Sequence, residues 1–351
     1  MLRNVVLAVA LFATNLYAQE TPPTTPPATP PATTTPEVAP VTAPVVAVLP
    51  GEGKVVDYLQ DISVTIVTDR GEGSGVIKTK VDESGNKVNF VWTAAHVVDN
   101  LKTTRTVVDP KTGTERRVVE FKDAHIVKDI QQNGRSVGQL RLIAEVIRYS
   151  DAETGHDLAL LRVRKKNFIE SSVVFLLEEE IPSIGTPLYH VGSLLGQLGS
   201  NSMTTGIVSQ HGRLISKQVF DQTTVAAFPG SSGGGVYLQN GKYIGMLVRG
   251  AGETFNLIVP VRRMQEWAKA ANILWAMNDD PLPSKEQLLG LPIEDVGKSW
   301  DDVQKTAREA NGISADYNAE TGTWTDKEGN EYKDFFKRYK KQPLQIIKTP
   351  A

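Results

Sequence analysis

The sequence predicts an all-β fold, and three observations carry that reading. Between Val55 and Pro260, short apolar or alternating runs recur at close intervals. They are rich in β-branched and aromatic residues, the types that fit a pleated surface. No helical pattern separates them, which points to a sandwich or barrel and away from strand–helix alternation.

Along the chain, residues 1–18 read as a secretory signal peptide: Arg3, an apolar run from Val5 to Ala13, then Leu16-Tyr17-Ala18 before Gln19. The run is far shorter than the roughly 20 apolar residues that span a bilayer, so no stable membrane span is expected once the signal is removed. Residues 19–50, dominated by Pro, Thr, Ala and Val, read as an extended linker, because proline cannot join a ladder. Residues 51–276 hold the expected folded domain. Its strand candidates are 62–68, 75–81, 88–94, 144–149, 158–163, 204–209, 235–238, 243–248 and 255–261. Glu83-Ser84-Gly85-Asn86 supplies a hairpin turn between two of them. Val261 to Ala276 then reads as a helix, with Met264, Trp267, Ala268, Ala271 and Trp275 on one face.

Residues 277–351 form a small C-terminal extension. It has a short helical turn near PSKEQLL, a helix over Ser299–Ala310 and a hairpin around Lys327-Glu328-Gly329-Asn330. Composition excludes some classes. A net charge of -2 gives no basic excess for nucleic acid. The absence of cysteine removes disulfides, thiolate metal sites and a thiol nucleophile. His125, His190 and His211 are scattered, no H-E-x-x-H occurs, and no metal or other cofactor is expected.

Three segments carry chemistry, in the order His, Asp, Ser. A strand runs through Thr93-Ala94-Ala95 into His96, Asp157 stands just before the apolar run 158–161, and Ser232 lies in the glycine-rich turn Gly230-Ser231-Ser232-Gly233-Gly234. A serine hydroxyl needs an adjacent base. Histidine suits that role, and a carboxylate on its other ring nitrogen fixes the tautomer. The tetrahedral oxyanion must meet N–H donors, and those of Gly230 and Ser232 are the candidates. Ser231 and His156 are the neighbouring rivals, and His156 is expected on a loop surface. Gly71-Glu72-Gly73-Ser74-Gly75 is followed by a strand and not by the helix a dinucleotide site needs, so it reads as a tight turn.

Together these segments resemble the trypsin-like serine peptidases, most closely the bacterial HtrA (Deg) group. T-A-A-H stands at Thr93–His96 and D-L-A-L-L at Asp157–Leu161. The family's G-N-S-G-G-P stands as Gly230 to Gly235, with Ser231 and Gly235 as departures. The resemblance covers roughly 55–275. It implies a two-barrel chymotrypsin-like fold with His96, Asp157 and Ser232 in the cleft. It also implies a peptide substrate pairing with Leu247-Val248-Arg249 and a first pocket with Ala226 at its base. Lacking a carboxylate there, the pocket is expected to take small or medium apolar residues. Residues 101–139 read as an inserted loop or hairpin, and no PDZ domain is evident in 277–351. The expected function is an exported, periplasmic or secreted, serine endopeptidase acting on protein or peptide substrates. The alternative is a catalytically silent or latent protease-fold module that binds extended peptides.

Overall fold

The computed structural model describes residues 49–294, apart from 52–53, 109, 111–112, 114, 133–134, 178–180, 217 and 251–253, together with the backbone of 315–318, 323–326 and 331–333. The expected signal peptide, nearly all of the linker and the helix expected over Ser299–Ala310 lie outside the described residues.

The chain enters through helix α1 (Val55–Asp61) and then builds two closed antiparallel barrels. The first uses β1 (Ser63–Thr68), β2 (Gly71–Val81), β3 (Lys87–Thr93), β6 (Ala124–Gln132), β7 (Arg135–Ser150) and β8 (Leu158–Val163), in the order β1-β2-β3-β8-β7-β6. Pairing of Thr65, Ile66 and Val67 with Val127, Ile126 and His125 closes it. The short helix α2 (Ala95–Val98) follows β3, and a hairpin of β4 (Lys102–Val108) and β5 (Glu115–Phe121) forms its own two-stranded sheet. The second barrel uses β9 (Pro187–Leu194), β10 (Gly199–Ile215), β11 (Gln218–Thr223), β12 (Gly235–Leu238), β13 (Tyr243–Gly250) and β14 (Asn256–Pro260), in the order β10-β11-β14-β13-β12-β9. The two-barrel, all-β expectation is therefore met. Closure leaves no free sheet edge in either barrel, apart from local openings at strand ends.

Helix α3 (Val261–Ala270) is shorter than the sequence suggested. Asn272 adopts the left-handed conformation (φ 56°), and the Ile273 N–H returns to the Ala268 carbonyl at 2.8 Å, which caps the helix. A 3₁₀ turn over Leu274–Ala276 follows. The buried face is as expected: Met264, Trp267 and Ala268 are enclosed. Trp267 meets Trp92 edge-on at 5.8 Å and Trp275 meets Phe90 at 4.8 Å, so both tryptophans anchor the second barrel's helix and tail to the first barrel. Helix α4 (Lys285–Gly290) is the expected short turn, opened by a reciprocal capping box between Ser284 and Gln287. Beyond it, β15 (Ala315–Asn318), β16 (Thr323–Asp326) and β17 (Glu331–Lys333) form a three-stranded sheet, of which the sequence showed only the β16–β17 hairpin.

Three further expectations need correction. Gly71 to Gly75 is the first half of β2, not a turn; the turn lies at Asp69-Arg70. Of the segment 101–139, only β4–β5 is a separate hairpin, while 124–132 and 135–139 belong to β6 and β7. The polar look of β6 hid its burial. Lys128 is enclosed there because its ammonium donates to the Gln60 carbonyl at 2.9 Å and faces Asp61 at 3.5 Å. His156 is buried, not on a loop surface: its N–H is held by Ser150 Oγ at 2.8 Å and its carbonyl by Arg263 at 2.7 Å.

Candidate active site

Strand β3 delivers His96. Its buried end, Phe90 to Thr93, passes through Ala94 and Ala95, both fully enclosed, into the single turn of α2. Any larger side chain at those two positions would force the turn outward. His96 keeps 37% of its side chain exposed.

Asp157 is held by a different device. Asp151 Oδ1 accepts the N–H groups of Glu153 and Thr154, both at 2.8 Å, and so folds the segment before β8 back on itself. Asp157 then takes a left-handed backbone conformation (φ 58°), costly for a residue with a side chain and commonest at functional sites. The result is a carboxylate 1% exposed whose two oxygens each lie 3.0 Å from His96 Nδ1, while Oδ1 also accepts the His96 N–H at 3.1 Å. A carboxylate can only accept here, so Nδ1 carries the proton and Nε2 keeps its lone pair. Burial would raise the Asp157 pKa, but the His96 charge and hydrogen bond, helped by the Arg249 charge, outweigh it and hold the group at about 2. Burial would likewise depress the His96 pKa. The Asp157 charge and hydrogen bond outweigh that and raise it above the ordinary imidazole value, against an opposing push from Arg249.

The glycine-rich turn presents Ser232, which is half-buried. Gly230 (φ 94°) and Gly233 (φ 88°) occupy backbone conformations closed to other residues. Each also lacks room for a Cβ: at Gly230 it would strike the Ser193 carbonyl, and at Gly233 the Ser74 carbonyl. Ser231 is buried, and its hydroxyl accepts the Phe228 N–H at 3.1 Å, so it is turned away from the cleft. The carbonyl of Pro229 accepts Leu195 N–H at 2.7 Å, and that of Ser231 accepts Gly234 N–H at 3.0 Å. In a trans peptide the next N–H points the opposite way. The N–H groups of Gly230 and Ser232 are thereby aimed away from those partners. The turn also rests on the strand that carries His96: an added Cβ at Gly233 would lie 3.2 Å from Ala94 N.

Of the expected substrate contacts, Leu247 is committed elsewhere. Its N–H and carbonyl pair with Gly234 and Gly233 at 2.9 and 2.8 Å. Beyond it β12 no longer pairs with β13, and Val248 and Arg249 lie on the stretch paired only with β14. Ala226 is half-buried, its carbonyl held by Thr204 Oγ1 at 3.0 Å. Arg249, expected only as a substrate contact, and Arg263, not singled out in sequence, share one aromatic partner. Arg249 lies over the Phe220 ring at 5.0 Å. Arg263 lies over the same ring at 4.8 Å and donates to the carbonyls of His156 and Val219, bracing the Asp157 segment from beneath. An arginine beside the buried helix face gives no signal of that role in sequence. Among the described residues, no group of three or more His, Asp or Glu side chains is placed to hold a metal ion, and no helix is long and apolar enough to cross a membrane.

With this geometry in hand, residues 73–246 match the family model of the trypsin-like peptidase domain. The chain carries a trypsin-like peptidase domain. This trypsin-like domain is similar to two proteins of Pseudomonas putida, strains W619 and GB-1, each described as "Probable periplasmic serine endoprotease DegP-like". Identity is 34% and 33% over 130 residues, 35% of this chain. The match spans 25% of the length of those relatives. Among solved structures, Deg5 is similar at 18% identity and a TM-score of 0.44, covering 64% of this chain and 94% of Deg5. The serine endoprotease from Yersinia pestis is similar at 19% and 0.43, covering 65% and 68%.

Proposed function

We propose that the chain is an exported serine endopeptidase in which Ser232 is the nucleophile, His96 the general base and then acid, and Asp157 the group that orients it. The observation that carries this reading is the buried Asp157 carboxylate on His96 Nδ1, beside a glycine turn that offers Ser232. In the first step Ser232 Oγ attacks the substrate carbonyl carbon while its proton passes to His96 Nε2. The oxyanion is met by the N–H groups of Gly230 and Ser232. Collapse expels the amine, which takes the proton back from His96 and leaves an acyl-enzyme. Water, deprotonated by His96, then hydrolyses the ester and restores Ser232.

The substrate is an extended protein segment, held by backbone pairing along Val248 and Arg249 as an added strand. Ala226 at the base of the first pocket favours small or medium apolar side chains before the scissile bond. Export rests on the N-terminal sequence pattern and on the periplasmic description of the two relatives. The test is degradation of an unfolded model protein by the purified chain beside Ser232→Ala. Cleavage by wild type and none by the variant is expected. Equal rates would remove Ser232 from the mechanism, and no cleavage by a folded wild type would leave a peptide-binding module.

A further inference from the structure

The Gly71–Gly75 segment, which no step above uses, holds the strongest further feature. We propose that Ser74 is a positioning residue that sets the oxyanion site and aligns the Ser232 turn with His96. The inference rests on the serine-endopeptidase reading.

Four consecutive carbonyls run through the nucleophile turn, and each is pinned by a donor. Pro229 is held by Leu195 N–H at 2.7 Å, Gly230 by Ser74 Oγ at 2.7 Å, Ser231 by Gly234 N–H at 3.0 Å and Ser232 by Ser74 N–H at 2.7 Å. Ser74 therefore supplies two of the four. The Gly230 carbonyl shares its peptide plane with the Ser231 N–H, which donates to the Phe228 carbonyl at 2.9 Å; this plane lies between the two that carry the Gly230 and Ser232 N–H groups, so its tilt sets the angle between those donors. The Ser74 hydroxyl fixes that tilt by donating to the Gly230 carbonyl, and it is itself held by accepting the Ser193 N–H at 2.8 Å. It is enclosed, so water offers no substitute for either bond.

The location matters as much as the bonding. Ser74 lies on β2 of the first barrel, whereas Ser193, Gly230 and Ser232 belong to the second. The Ser74 carbonyl in turn accepts Thr93 Oγ1 at 2.8 Å, three residues before His96. One residue thus joins the nucleophile turn, the strand behind it and the strand that delivers the base. Only a side chain that donates and accepts at a single short-reach oxygen can do this, which leaves serine or threonine.

The test compares Ser74→Ala, Ser74→Cys and Ser74→Thr with wild type and with Ser232→Ala. Three quantities are read: kcat and KM on a peptide substrate, affinity for a peptide boronate, and the pH midpoint of kcat/KM. Misplaced oxyanion donors reduce catalysis without reducing ground-state binding. For Ser74→Ala, kcat is expected to fall on the order of 10- to 100-fold with KM unchanged. Boronate affinity should fall by a similar factor, and the pH midpoint should stay, because His96 and Asp157 are untouched. Ser74→Thr should recover most of the rate, and Ser74→Cys should lie between. Unchanged kcat in Ser74→Ala, or a loss confined to KM, overturns the proposal. So does a shifted pH midpoint, which would mean a general disturbance of the site. If Ser74→Ala does not fold, the Cys and Thr variants decide, and equal kcat in those two overturns it. Failure of the underlying reading looks different: wild type and Ser232→Ala would then be equally inactive.

Discussion

At the residue scale, the His96–Asp157 pair fixes how the enzyme should respond to pH. The raised His96 pKa means the ring stays protonated, and so unable to act as base, to a higher pH than a free imidazole. The acid limb of kcat/KM should therefore have its midpoint above about 6.5. Asp157 is ionised well below that range and adds no inflection near pH 4 to 6. Asp157→Asn would keep the volume but present an amide to Nδ1, which favours the wrong tautomer. The established cost of that change in a Ser-His-Asp triad is about 10⁴ in kcat. A pH–rate profile and single-turnover kinetics check both statements. A midpoint at or below 6.5, or a loss under tenfold in Asp157→Asn, would remove the aspartate from its orienting role.

At the element scale, the segment before β8 depends on helix α3. Arg263 is fully enclosed, and burial first, then the Arg249 charge, hold its pKa down to about 9. Its hydrogen-bond partners are the His156 and Val219 carbonyls. Arg263→Met would leave both without that donor, at about 1–3 kcal/mol for each buried acceptor. The expected outcome is a lower denaturation midpoint with the denaturant slope unchanged, and reduced kcat through a displaced Asp157. Equal stability would mean the segment is held by Asp151 alone. This support was invisible in sequence because a buried arginine breaks the apolar pattern that marks a helix face. The same limit hid β6, whose Lys128 and Asp129 are enclosed beside polar partners. What sequence did reveal were regular runs such as 158–163 and 243–248, where burial on both faces leaves apolar residues almost throughout, the half-buried Arg162 apart. The chemistry-bearing segments were legible for a different reason: each needs particular residue types at fixed spacing. Ser74 gives no signal in sequence because the turn it holds lies 156 residues away.

At the scale of the whole molecule, the question is whether the two barrels behave as one body. They are fastened by different means: Ser74 with the Gly230–Gly234 turn, and Trp92 with α3. Trp92 packs edge-on against Trp267 and Phe175, and its Nε1–H donates to the Ala276 carbonyl at 3.0 Å. Lys80 adds two bonds of 2.7 Å to the carbonyls of Asn278 and Asp280, so the chain leaving the second barrel is tied back onto the first. Buried apolar residues form one continuous cluster through both barrels. Acid should loosen this assembly in a definite window. Asp157 and Asp221, the latter gripped by Arg262 at 2.6 and 2.7 Å, both have folded pKa values of about 2, below the ordinary 3.8. Between those values the unfolded chain binds more protons, so stability is present above about pH 4 and is lost as pH falls toward 2. The sharper test is Trp267→Ala, which empties the junction between barrels and should cost about 3–5 kcal/mol. A core that is continuous should respond as a unit. Wild type and variant are each expected to melt in a single transition, the variant's displaced downward, with tryptophan fluorescence and far-ultraviolet circular dichroism superimposing. Two separated transitions in the variant would show that each barrel holds its own fold and that the junction only aligns them. In that case, loss of activity at the first transition would place the assembly of the proposed triad in the junction itself.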